Sequence, residues 1–174
     1  DYITGTVRNI DELYIGKTLF DDFDPQIIDI LYTPPFELDI DKFPISQMYP
    51  NEYFILKSNK NSVLVKYDPF IQKISKVDKK SAYGIKPRNA EQTFAMDALM
   101  DNNIPIVTLA GKAGTGKTLL ALACAIEKRS DYKQIYLARP IIPLGNRDLG
   151  YLPGDVGSKL DPYMQPLWDN LKVI

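Results

Sequence analysis

The residues with the most direct chemical meaning form one glycine-rich segment in the second half of the chain. It consists of Gly111, Lys112, Ala113, Gly114, Thr115, Gly116, Lys117 and Thr118, and it matches the pattern G-x-x-x-x-G-K-[ST] in full. Glycines allow the backbone to fold into a concave nest whose N–H groups point at phosphate oxygens. Lys117 can reach the outer phosphates of a nucleotide as the catalytic cation, and the Thr118 hydroxyl can bind Mg²⁺. The segment therefore predicts a phosphate loop, and the plainer alternative is a glycine-rich turn with a surface lysine.

The elements around this loop are those that a phosphate loop requires. Ile104 to Ala110 is a continuous apolar run, which predicts a strand buried on both faces of a parallel sheet. Lys117 to Arg129 predicts a helix, whose N-terminus would add free N–H groups and a positive dipole end. Gln134 to Ala138 predicts a second buried strand. Strand, loop, helix and strand make a βαβ unit, so we expect an α/β fold in this half.

Gln92 is a candidate base-reading residue beside the loop. It lies nineteen positions before Gly111, on a helix that apolar spacing predicts over Asn89 to Asp101. A side-chain amide can donate to one edge atom of adenine and accept from another. The alternative is structural, because Asn89 at the N-cap and Gln92 three residues later match a capping box. Both interpretations are open at this point.

Hydrolysis requires more than a phosphate loop. A carboxylate at the end of another buried strand normally holds Mg²⁺ and orients water. After Thr118 the one predicted strand leads into Arg139-Pro140 instead of an acid, and the later acids fall in predicted loops or a helix. We therefore expect this chain to bind a nucleotide but to hydrolyse it poorly.

The first half of the chain lacks a long helical period and predicts short strands. Tyr53–Lys57 and Val63–Tyr67 are β-rich runs around a polar loop, which indicates a hairpin. A third strand is predicted within Phe70 to Val77, and one or two helical turns at Pro25 to Leu31. Thr33 to Pro50, with its prolines, is predicted to have no regular structure.

Composition excludes several classes of protein. The 174 residues contain 45% hydrophobic and 25% charged residues, as in soluble globular proteins, and no apolar run approaches the roughly 20 residues of a membrane helix. There is no histidine, which excludes Ser-His-Asp triads and histidine metal sites. The single cysteine, Cys124, excludes an internal disulfide and fits a reducing compartment, so a cytoplasmic location is expected.

Charge is unevenly distributed along the chain. Residues 1–52 carry a net charge of −8, residues 53–84 a net +5 and residues 85–174 a net +2. The positive middle segment interleaves lysines with aromatic residues, namely Lys57, Lys60, Lys66, Lys73, Lys76, Lys79 and Lys80 with Tyr53, Phe54, Tyr67 and Phe70. Such a mixture is typical of modules that hold single-stranded nucleic acid, and the alternative is a solvated sheet face over an aromatic core.

Six short segments of the second half occur together in a recognisable order. They are Gly84-Ile85-Lys86-Pro87-Arg88-Asn89, Glu91-Gln92, the phosphate loop, Arg139-Pro140, Leu149-Gly150-Tyr151-Leu152-Pro153-Gly154-Asp155 and Lys159-Leu160-Asp161-Pro162-Tyr163. With them, residues 84–171 closely resemble the ATPase domain of the PhoH family. The last two segments are the specific ones, because many unrelated ATPases share the phosphate loop. Residues 1–83 resemble, more weakly, the linker that precedes this ATPase in members with a PIN nuclease domain.

The resemblance implies a fold, cofactors and partners. The expected fold is α/β: part of a P-loop core, RecA-like and related to superfamily 1 helicases (residues 85–174), preceded by a small β-rich domain (residues 1–84). The implied cofactors are ATP and Mg²⁺, and the implied partners are single-stranded RNA and further copies in a ring, with no membrane. Arg139 would contact nucleic acid, and the family's Walker B segment would lie beyond Ile174. The acidic cluster of a PIN nuclease is not recognisable here.

Three functional hypotheses follow. The first is the ATP-binding fragment of a PhoH-like ATPase, an RNA-handling motor of helicase type that is coupled to a ribonuclease in the longer members. The second is a nucleotide- or RNA-binding module without catalysis. The third is a small-molecule P-loop kinase, which the absence of a recognisable acceptor site disfavours.

Overall fold

The computed structural model describes residues 16–45, 47–138, 165 and 167–174, and the chain divides into two compact units. The first unit ends at Asp78 and the second begins at Lys79. From the sequence, the boundary is predicted six residues later, after Gly84. The difference has a local cause, because the Tyr83 backbone N–H donates to Glu127 Oε2 at 2.7 Å and so joins its turn to the second unit.

In its described residues, the first unit is a mixed five-stranded sheet with one short α-helix. Its elements are β1 (Lys17–Phe20), α1 (Pro25–Leu31), β2 (Glu37–Asp39), β3 (Tyr53–Lys57), β4 (Ser62–Asp68) and β5 (Lys73–Lys76). The strand order is β1-β3-β4-β5-β2, in which β1 runs parallel to β3 and the other neighbours are antiparallel. The structure confirms the hairpin, the third strand and the helix that were predicted from the sequence.

The two edge strands of the sheet, β1 and β2, were not predicted from the sequence. β2 and the 3₁₀ turn Ile40–Lys42 fall inside the stretch from Thr33 to Pro50, so the prediction of no regular structure there is wrong. These strands have only four and three residues, and each is held by a partner more than thirty residues away, β1 by β3 and β2 by β5. Pairing over that distance leaves no local pattern in the sequence.

The core of the first unit lies between α1 and one face of the sheet. Alternate strand residues point to this face, as the period of two requires. The core side chains are Phe23, Ile28, Leu31, Leu38, Phe43, Phe54, Leu56, Val63, Val65 and Ile74. Asp24 caps α1 by accepting the Gln26 N–H at 2.8 Å, and Pro25 begins the helix, where a missing N–H costs nothing.

The second unit is built around two helices, α2 (Ala90–Met100) and α3 (Lys117–Glu127), which confirm both helix predictions. Residues 165 and 167–173 are also helical, in agreement with the helix predicted over Pro162 to Lys172. α2 and α3 pack against each other through a small apolar cluster, which is made of Ala82, Met96, Leu120, Ala123 and Cys124. None of the helices among the described residues is both long and apolar enough to cross a membrane.

The two apolar runs beside the phosphate loop are not strands, so the prediction of buried strands at 104–110 and 134–138 is wrong. Ile106 is 80% exposed and Tyr136 is 85% exposed. A buried parallel strand forms only when neighbouring strands take its N–H and C=O groups and helices cover both faces. Within the described ranges no strand pairs with either run. The described part of the chain is therefore mixed α/β, and the sheet that it contains lies in the first unit.

Candidate nucleotide-binding site

The phosphate loop turns sharply into the first residue of α3. Gly114 and Gly116 have φ values of 78° and 85°, in the left-handed region that side chains other than glycine rarely adopt. Gly116 is the N-cap of α3, and no side-chain hydrogen bond from the described residues caps this helix. Its first N–H groups are therefore available to an anion at the loop, where the helix dipole also favours negative charge.

The Lys117 ammonium is folded back onto the loop. Its Nζ donates to the Gly111 carbonyl at 2.8 Å, to the Lys112 carbonyl at 2.7 Å and to Thr115 Oγ1 at 3.3 Å. All three donors of the ammonium are thus used by loop oxygens, which draws the loop together around a positive charge. Phosphate oxygens could take the place of these acceptors without a large movement of the side chain.

Thr115 is a loop residue whose side chain has no role in the sequence motif. Its Oγ1 donates to the Lys112 carbonyl at 2.9 Å and accepts the bond from Lys117. Thr115 occupies a variable position of the motif, so the only signal in the sequence was a hydroxyl two residues before the lysine. The hydroxyl stabilises the position of the ammonium.

Gln92 reaches the loop from the first turn of α2. Its Nε2 donates to the Thr115 carbonyl at 3.2 Å, and its Oε1 accepts the Arg88 backbone N–H at 2.8 Å. The Gln92 backbone N–H donates to Asn89 Oδ1 at 2.9 Å, so Asn89 is the N-cap of α2, as the capping interpretation predicts. The adenine contact of Gln92 stays a prediction, and both ends of its amide already have partners.

The opposite ends of the helices are joined by Lys128. Its Nζ donates to the Met100 carbonyl at 2.9 Å and to Asn102 Oδ1, and it lies 3.9 Å from Asp131 Oδ2. Gln92 joins the N-terminal ends and Lys128 the C-terminal ends, so α2 and α3 run in the same direction. The loop is thus attached to a helix pair that is fixed at both ends.

The metal-binding potential of the site rests on Thr118. This residue is exposed at the second position of α3, where its hydroxyl can face the loop. The described part of the chain has no group of three or more His, Cys, Asp or Glu side chains that could hold a metal ion. A single hydroxyl oxygen suits Mg²⁺, which is usually bound through few protein ligands together with substrate phosphates and water. It would not suit zinc or calcium.

Four of the seven lysines in the lysine-rich stretch have carboxylate neighbours. The pairs are Lys57 with Asp21 at 3.2 Å, Lys73 with Glu37 at 2.9 Å, Lys76 with Asp78 at 3.1 Å and Lys80 with Asp97 at 3.9 Å. The hydrogen bond and charge of Glu37 raise the pKa of Lys73 above its ordinary value. Tyr53 and Phe54 are buried, whereas Phe70 is exposed. The buried Tyr53 and Phe54 agree with the aromatic core of the alternative interpretation, and contact of this stretch with nucleic acid stays a prediction.

Three of the sequence features lie outside the described residues. They are Arg139, the segment 149–155 and the segment 159–163. The expected nucleic-acid contact of Arg139 therefore stays a prediction.

Comparison with known proteins points to one family. A family profile described as PhoH-like protein matches residues 84–174. Over its whole length the chain is 36% identical to Protein PhoH2 of Bacillus subtilis (strain 168), of which it spans 40%. Over 53% of its length it is 41% identical to Protein PhoH2 of Mycolicibacterium smegmatis, of which it spans 22%. The chain is thus less than half as long as these relatives, and no solved structure matches it significantly.

Proposed function

The chain belongs to the PhoH family, and from this membership and the geometry of the phosphate loop we propose that it binds ATP with Mg²⁺ as part of an ATPase. The observation that carries the proposal is the position of Lys117. Its ammonium lies on the loop carbonyls at the start of a helix that no described side chain caps. A positive charge and free N–H groups at one point are what a triphosphate requires.

Each loop residue has a role in this proposal. The backbone N–H groups of Gly111 to Thr118 hold the phosphate oxygens, and Lys117 neutralises charge on the outer phosphates. Thr118 supplies one oxygen to Mg²⁺, which when bound neutralises further phosphate charge. Thr115 keeps the ammonium in place, because its hydroxyl lies between Lys117 and the Lys112 carbonyl.

The family resemblance supports a finer proposal for the intact protein. In it, the second unit is part of a RecA-like motor related to superfamily 1 helicases, which acts on single-stranded RNA as a ring of identical subunits in the cytoplasm. Arg139 would contact the RNA backbone. Coupling to a ribonuclease belongs to the same proposal.

A nucleotide-binding module without catalysis is the second candidate. It is favoured by one observation: the described ranges contain no group of three or more His, Cys, Asp or Glu side chains that could hold a metal ion. Electrostatic support of that kind supplies much of the rate in phosphoryl transfer.

Substitution of Lys117 tests nucleotide binding. We expect Lys117→Ala to weaken the binding of a fluorescent ATP analogue at least about tenfold, because the charge-assisted hydrogen bonds to the phosphates are lost. Lys133→Ala is the matched control, since it removes an exposed lysine of the same unit outside the loop. Equal affinities of the parent chain and Lys117→Ala would refute the assignment of the loop.

A further inference from the structure

The Gln92 side chain connects two segments that are far apart in the sequence. On one side it accepts the backbone N–H of Arg88, just before α2, and on the other it donates to the carbonyl of Thr115, within the phosphate loop. The same Thr115 carries the hydroxyl that contacts Lys117. Thr115 thus links the start of α2 to the ammonium of the loop, because its carbonyl accepts from Gln92 and its hydroxyl accepts from Lys117.

The contact between Gln92 and the loop is close. A Cβ atom at Gly116 would lie 3.2 Å from Gln92 Nε2, which is tighter than most real Cβ contacts. Gly116 also has the left-handed φ of 85° that allows α3 to begin there. Because Gly116 has no side chain, the backbone can adopt the left-handed turn there and the Gln92 amide has room beside it.

We propose that Gln92 is a positioning residue of the phosphate loop: it holds the Thr115 carbonyl and thereby presets the loop for phosphate, whatever base is attached. This inference rests on the proposed nucleotide binding and adds the element that organises the site. Its physical basis is preorganisation, because a loop already held in its binding conformation loses less conformational freedom when the ligand binds.

The proposal differs measurably from base recognition and from helix capping. A residue that reads adenine affects ATP more than GTP and has no effect on a ligand without a base. A residue that only caps α2 affects stability but not affinity. A residue that positions the loop affects every ligand with a phosphate chain equally.

The test compares three ligands and three variants by isothermal titration calorimetry in the presence of Mg²⁺. The ligands are ATP, GTP and inorganic tripolyphosphate. Gln92→Met keeps the length of the side chain but removes both hydrogen bonds, and Gln92→Glu keeps an acceptor for Arg88 but removes the donor to Thr115. Asn89→Ala is the control, because it removes the cap of the same helix without touching the loop. Circular dichroism measures the melting temperature of each variant.

We expect Gln92→Met and Gln92→Glu each to bind all three ligands about fivefold more weakly than the parent, because both variants lose the hydrogen bond to the Thr115 carbonyl. We expect Asn89→Ala to melt at a lower temperature while its affinities stay unchanged. If either Gln92 variant fails to fold, the other decides the result, and where both fold the neutral Gln92→Met carries more weight, because Gln92→Glu also places a negative charge near the phosphates.

Three results would overturn the proposal. The first is a loss confined to ATP with tripolyphosphate unaffected, which would establish base reading. The second is an equal loss of affinity in Asn89→Ala, which would show that any weakening of α2 lowers the affinity and that the contact of Gln92 with the loop has no separate effect. The third is unchanged affinity in the Gln92 variants, which together with a lower melting temperature would establish capping alone. A parent chain that binds none of the three ligands would overturn the proposed function as well, and that result is distinct from the others.

Discussion

Cys124 lies in the middle of α3 and faces the apolar cluster between the helices. It is 2% exposed, and burial raises the pKa of its thiol to about 11, with a further contribution from the charge of Glu127. The thiol is therefore neutral at pH 7 and acts as a small apolar side chain.

This raised pKa predicts how stability depends on pH. The folded chain holds the thiol proton more tightly than the unfolded chain, whose thiol has the ordinary pKa of 9.0. The stabilisation is complete below pH 9 and is lost as the pH rises to about 11. We expect the free energy of unfolding to fall less between about pH 8 and about pH 10.5 in Cys124→Ala than in the parent chain. Urea titrations at the two pH values measure this difference, and parallel declines in the two chains would contradict it.

At the residue scale, the site residues that belong to one contiguous motif could be predicted from the sequence. The contacts between residues that folding brings together could not. Lys117 and Thr118 follow from the spacing of one short segment. The hydrogen bond from Gln92 to Thr115 joins residues 23 positions apart, and it exists only because α2 packs against α3. No pattern in either segment specifies the other.

At the element scale, the turn before β3 depends on a buried carboxylate. Glu52 is 6% exposed, and its two oxygens accept the Thr18 hydroxyl at 2.8 Å and the Tyr49 N–H at 2.9 Å. Thr18 belongs to β1, so this one side chain joins the edge strand to the turn. A buried acceptor that holds two donors stabilises more than an ion pair in water.

We expect Glu52→Ala to lower the free energy of unfolding by about 1–3 kcal/mol, because the Thr18 hydroxyl and the Tyr49 N–H would lose their buried acceptor. Glu37→Ala is the matched comparison, since it removes a carboxylate that forms a partly exposed ion pair with Lys73. It should cost less than about 1 kcal/mol. Urea denaturation followed by circular dichroism compares the two, and equal costs would show that burial of Glu52 is not decisive.

The elements that were predicted correctly have local causes. The hairpin of β3 and β4 has a short polar loop between two β-rich runs, and α2 has its own N-cap in Asn89. The run 104–110 was wrongly predicted to be a buried strand. An apolar pattern shows that a segment can be buried, but whether it forms a strand depends on neighbouring strands elsewhere in the chain. The same dependence on distant partners hid β1 and β2.

At the scale of the whole molecule, we expect slow turnover. The described residues place a lysine and a threonine at the loop but no group of carboxylates suited to a metal, so phosphate release should be several orders of magnitude slower than in a complete ATPase. Steady-state release of phosphate from ATP, with and without single-stranded RNA, measures this. Lys117→Ala supplies the background. Turnover of about 1 per second or faster above that background would mean that a catalytic acid lies among these 174 residues.

The backbone of residues 106–110 has a consequence for the exchange of amide hydrogens with solvent. No hydrogen bond joins the amides of these residues to any other described part of the chain, whereas the amides of β3 and β4 are paired inside a five-stranded sheet. In deuterated water the amide of Ile106 should exchange almost as fast as in an unstructured peptide, and the amides of Leu56 and Val65 should persist far longer. If another strand pairs with this run, its amides should become protected, so exchange at Ile106 reports on that pairing.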